Sequence, residues 1–124
     1  MKPNRLPEMS PSEMQILGIL WQLGKGSVQD VCGRLPQDRK IGYATVQTLL
    51  RRLETKGYLT HERHSRAHIF VPAIEPKKVI RRTVGDFVER LFGGDPVPLM
   101  LHLAEQARLS DKDIQRLQRL IEKD

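Results

Sequence analysis

The chain has 124 residues, 39% hydrophobic and 29% charged, which allows one domain or two small ones and points to a globular chain rather than a disordered or membrane one. Its net charge of +6 and pI near 9.8 favour a polyanionic partner. The excess is uneven: residues 1–73 hold 11 Lys and Arg against 6 Asp and Glu, and residues 74–124 hold 10 against 9.

Residues 1–9 read as a loose arm, with no apolar core or cleavage pattern, so the expected compartment is the cytoplasm. Ser10 then caps a helix, with Pro11 at its first position and Glu13 completing a capping box. Met14, Leu17, Leu20 and Trp21 form its apolar side, widened by Ile16, Ile19 and Leu23, and Gly24 ends it. Such a wide face implies several packing partners, and Trp21 is expected in the core. Gly24-Lys25-Gly26 is a turn. Ser27 and Asp30 open a short second helix that buries Val28, Val31, Cys32 and Leu35 and stops at Pro36. Cys32 is the one cysteine, so neither an intrachain disulfide nor a CxxC metal site is expected.

A polar connector, residues 37–40, leads to the stretch Ile41–Gly57, in which a third helix runs from about Tyr43. Val46, Leu49, Leu50 and Leu53 fall on one face; Ala44, Thr48, Arg51 and Thr55 lie opposite, flanked by Thr45, Gln47 and Arg52, with no acid before Glu54. Arginine bonds guanine edges, glutamine adenine edges, and threonine bases or phosphates, so a major groove would accept this face. The plain alternative is a solvated amphipathic helix. Tyr58–Arg63 reads as a strand, His64-Ser65-Arg66 as a tight turn, and Ala67–Val71 as the return strand before Pro72. Three helices and a hairpin make a winged helix-turn-helix, with Arg63 and Arg66 at the tip for phosphates or a minor groove. His61, His64 and His68 lack the spacing and partners of a metal set and are read as solvated wing residues.

From Ile74 the charge is nearly balanced. Ile80, Val84, Phe87, Val88, Leu91 and Phe92 repeat at helical spacing until Gly93-Gly94-Asp95-Pro96 breaks the chain. Val97–Ala107 is a second apolar segment that includes Met100 and Leu103, and Ser110 with Asp113 opens a last helix carrying Ile114, Leu117, Leu120 and Ile121. Three helices of this size bury too little surface alone, which points to pairing of these twelve positions with a second copy. Packing as a cap on the same chain is the alternative. The expected fold is therefore mostly α with one β-hairpin: a winged-helix domain over 1–73 and a three-helix dimerisation region over 74–124. No apolar run reaches the ~18 residues of a membrane span. No glycine-rich phosphate loop or nucleophile constellation appears, so neither an enzyme nor a cofactor is expected.

TVQTLLRRLETKGYLTHERHSRAHIFVP (45–72), MSPSEMQILGILWQLGKGSVQDV (9–31), FVERLFGG (87–94) and LSDKDIQRLQRLI (109–121) resemble, in order and spacing, the penicillinase repressors of the BlaI/MecI/CopY family. The resemblance implies a bacterial repressor bound to operator DNA as a homodimer, with contacts at Ala44, Thr45, Thr48, Arg52 and the wing Arg66. Ala44 stands where relatives often carry lysine, Ile41 where an aromatic is common, and Ser65 where a wing glycine is common. In the penicillin-responsive branch a membrane-bound sensor protease cuts inside the dimerisation region. The matching segment is LMLHL (99–103), where His102-Leu103 replaces the typical Asn-Phe. The cysteine cluster of the copper branch is absent. A winged-helix protein-interaction module and a transcriptional activator are the rival readings.

Overall fold

A computed structural model describes residues 6–122. The chain divides into two compact units, with the boundary between Val79 and Ile80. The first contains helices α1 (Pro11–Leu23), α2 (Val28–Cys32) and α3 (Tyr43–Thr55), a 3₁₀ turn at Gln37–Arg39, and strands β1 (Leu59–His64) and β2 (Ala67–Pro72). Helices α4 (Pro76–Phe92), α5 (Val97–Gln106) and α6 (Asp111–Glu122) follow. No described helix is long and apolar enough to cross a membrane.

Helix α1 starts as its sequence dictates. Ser10 Oγ accepts from Glu13 N–H at 3.1 Å, and Glu13 Oε1 accepts from Ser10 N–H at 2.7 Å. It ends at Gly24, whose φ of +85° few other residues tolerate. One core joins Ile16, Leu17 and Leu20 of α1, Val28 and Val31 of α2, and Val46, Leu49, Leu50 and Leu53 of α3 to Leu59 and Phe70 of the hairpin. Val79 and the half-buried Ile74 join it too, so the first turn of α4 belongs to this core.

The apolar side expected for α1 is displaced. Met14 is exposed, whereas Glu13 is only 2% exposed. Glu13 is buried because Lys56, just past α3, reaches it: Lys56 Nζ lies 2.7 Å from Glu13 Oε1 and 2.8 Å from the Glu8 carbonyl oxygen. Trp21 and Cys32 are half-buried against the core rather than inside it.

The expected loose arm is corrected for residues 6–9; its residues 1–5 lie outside the described residues. Leu6 and Met9 pack against the core, and Tyr58 Oη donates to the Pro7 carbonyl at 2.6 Å. Apolar side chains at 6 and 9 and the accepting carbonyls of 7 and 8 supply that attachment. The Gly24–Gly26 turn also does more than reverse the chain. Gly26 pairs with Phe70, its N–H donating to the Phe70 carbonyl at 3.1 Å and its carbonyl accepting from Phe70 N–H at 2.8 Å, which fastens β2 to the start of α2.

Candidate nucleic-acid interface

Helix α3 carries the expected division of faces. Tyr43, Ala44, Thr45, Thr48, Arg51 and Arg52 are exposed and Gln47 is half-buried, with its apolar stripe fully in the core. Gly42 caps its start without a side chain, and its first turn has no acid, so nothing local neutralises the positive end of the helix dipole. Thr48 Oγ donates to the Ala44 carbonyl at 3.0 Å. In that rotamer the hydroxyl offers only lone pairs outward, which suits the amino groups of adenine or cytosine.

The hairpin register arranges the wing. Leu59 pairs with Pro72, His61 with Phe70 and Arg63 with His68, and directly opposed residues share a face. That face is apolar at the base, where Leu59 and Phe70 are buried, aromatic and polar in the middle, and basic toward the tip. The turn needs a left-handed residue, and Ser65 takes it at φ +58°, the one described non-glycine with positive φ. The glycine usual in the resembling family would sit there without strain.

Between α3 and the wing lies an open groove of about 260 Å³. Tyr43, Gln47 and Arg51, spaced i, i+4 and i+8, form its helix wall, and Arg66, Ala67, His68 and Phe70 its wing wall. Ser27 and Val28 also line it. The neighbouring row Ala44, Thr48 and Arg52 projects outside the groove. Among the described residues, Arg51, Arg52, Arg63 and Arg66 form no ion pair with an acid. Two of these guanidiniums, Arg51 and Arg66, line the groove, and a concave edge so charged attracts anions. Nearby acids are occupied: Glu54 is bonded to His61, and Glu62 is paired with His64 at 3.2 Å and Lys25 at 3.6 Å. The His64 hydrogen bond and then the Lys25 charge hold the Glu62 carboxyl below its ordinary range.

Sequence reasoning left Ser27 and His68 out of this site. Both are found once β2 is registered on β1 and fastened to Gly26. His61 and His64 are exposed and His68 is half-buried; the His61 and His68 rings stack at 4.5 Å and 12°, and His64 is bonded to Glu62. Among the described residues no three His, Cys, Asp or Glu side chains gather as a metal site would require.

In the second unit, Ile80, Val84, Phe87, Leu91, Met100, Leu103, Ile114, Leu117, Leu120 and Ile121 are exposed, Phe92 is half-buried and Val88 is buried. Phe87 and Phe92 meet edge to face at 6.0 Å. Ser110 and Asp113 form the reciprocal cap of α6, whose backbone hydrogen bond first, and then the Ser110 hydroxyl, hold the Asp113 carboxyl below its ordinary range. His102 and Leu103 lie within α5.

The penicillinase repressor family model matches residues 9–123. The penicillinase repressor of Bacillus licheniformis is 25% identical over 118 residues, 95% of this chain and 92% of that one. Two solved structures are similar at 26% identity. The DNA-binding domain of the repressor BlaI has a TM-score of 0.52 over 58% of this chain and 88% of its own. The monomeric form of BlaI from Bacillus licheniformis, in complex with the blaP half-operator, has a TM-score of 0.50 over 59% and 89%. The chain has a winged-helix fold and belongs to the penicillinase repressor family, whose members are DNA-binding transcriptional repressors and not enzymes.

Proposed function

We propose that the protein represses transcription as a homodimer on a pseudo-palindromic operator. The reading is carried by Arg51 and Arg66, which line the α3–wing groove without acidic partners. The groove suits a phosphate strand, so Arg51, Arg66 and Ser27 position the backbone, with Arg63 near the tip. The outward row and its neighbour, Thr45, Thr48 and Arg52, read base edges in the major groove. Ala44 is too short to add a polar contact, which concentrates readout on these three.

A second copy of this chain is the partner that suits the second unit, where Leu120 and Ile121 are 68% and 74% exposed along one amphipathic helix. Two winged units then address half-sites about one DNA turn apart, and occupancy of the promoter represses. Relief by a membrane-bound sensor protease at His102–Leu103 is a further part of this reading. Because that bond lies in a helix, cleavage requires α5 to open locally first.

Selection of bound duplexes from a random library tests the reading. An inverted repeat should emerge, and with three phosphate-directed cations per chain the log–log salt slope should be about −5. Failure to enrich any sequence would favour a protein-interaction module, and a flat salt dependence would remove the electrostatic mechanism.

A further inference from the structure

The face of the wing that carries Phe70 into the core also holds a relay reaching from α3 to the groove. His61 Nδ1 is bonded to Glu54 Oε2 on the last turn of α3. The His61 ring stacks on His68, its diagonal neighbour across the hairpin, and tilts against Phe70 at 6.2 Å. His68 lines the groove with Arg51 and Arg66. With the Glu54 carboxylate as acceptor, Nδ1 of His61 carries the proton and donates, which fixes that ring in plane and rotation. A ring held on one side and stacked on the other leaves His68 little freedom except toward the groove.

We infer that His68 donates to the DNA backbone, and that Glu54 and His61 are positioning residues that hold it there. This rests on the operator-binding reading above. It gives an acid on the recognition helix a constructive task. By charge alone, Glu54 repels DNA and its removal would strengthen binding. Through the relay, its removal frees His61, loosens His68 and weakens binding. The two effects have opposite signs.

The full-length chain is used, with a duplex that the wild type itself selects from a random library, at fixed salt. H68A is expected to lose about tenfold in affinity, the size of one hydrogen bond to a charged group. E54A is expected to lose about threefold, E54Q to bind at least as tightly as wild type because its amide oxygen still accepts from His61 while the repelling charge is gone, and E54A/H68A to bind no more weakly than H68A alone. H68N, which keeps a donor, repeats the measurement should H68A fail to fold, and is expected to bind more weakly than wild type. Thermal unfolding followed at Trp21 confirms that each variant is folded. Tighter binding by E54A, additive losses in the double variant, or unchanged binding by H68A would overturn the relay while leaving operator binding in place. Absence of any selected duplex for the wild type would overturn both.

Discussion

Replacing Glu13 tests how the winged unit is held together. Its carboxylate accepts from Lys56 Nζ and from Ser10 N–H, both at 2.7 Å, in a site where it is 2% exposed. Breaking a buried ion pair by removing one partner costs about 3–5 kcal/mol. Here Lys56 keeps the Glu8 carbonyl and is 27% exposed, which lowers its share of the penalty. Loss of the reciprocal cap adds up to about 1 kcal/mol. E13A should therefore lose about 3 kcal/mol, a fall of roughly 15 °C in Tm for a unit of this size. E13Q keeps both acceptor contacts without the charge and should lose about 1 kcal/mol.

Acid adds a second readout. Burial is the largest single influence on the Glu13 carboxyl and pushes it up, but the Lys56 hydrogen bond and charge, together with Ser10, hold it below the ordinary range on balance. A carboxyl depressed by folding stabilises fully above its unfolded value, about 4.3, and loses that contribution as pH falls through the lower folded value. The stability gap between wild type and E13Q should be constant from about pH 7 to 5 and close toward pH 3. The one tryptophan, Trp21, lies on α1 and reports this unit in urea or thermal unfolding. A loss in E13A below about 0.5 kcal/mol, or a gap that ignores pH, would refute the reasoning.

Four further substitutions address the core, the DNA face and the second unit. L50A removes a fully buried side chain and should cost about 3 kcal/mol in urea unfolding. R51A should weaken binding similarly across sequences and reduce the salt slope by about 1, whereas R52A should relax preference at one base pair, as read by competition among single-substitution duplexes. L117E places a charge on the exposed apolar face of α6 and should yield a monomer by light scattering, with Trp21 emission unchanged and affinity for the full operator lower by about 100-fold.

Local rules made much of this fold legible. The Ser10, Ser27 and Ser110 caps, the stops at Gly24 and Gly57, and the faces of α3 all follow from residues within four positions of one another. What escaped were contacts distant in the chain. Glu13 reads as a cap residue, and only the approach of Lys56 makes it a buried anion. Gly26 reads as a turn, because one pair of hydrogen bonds to Phe70 leaves no period-two pattern. Met14 fits the apolar spacing but stays exposed, while Leu6 and Met9, outside any periodic run, find the core. In the interface, the exposed face of α3 was visible from spacing alone. The separation of its groove wall, Tyr43, Gln47 and Arg51, from its outward row needed the wing in place. So did the addition of His68.

The ion pair between Glu13 and Lys56 spans 43 positions, from the first turn of α1 to just past α3, with α2 and α3 between its ends. A contact across so long a loop forms only after the helices inside it have been brought together, so it arrives late on the route to the native state. Late contacts act on escape from the native basin rather than entry to it. In stopped-flow traces E13A should therefore steepen the loss of structure while refolding proceeds at nearly the wild-type rate. The clasp thereby sets how long a folded winged unit persists before it opens to proteolysis.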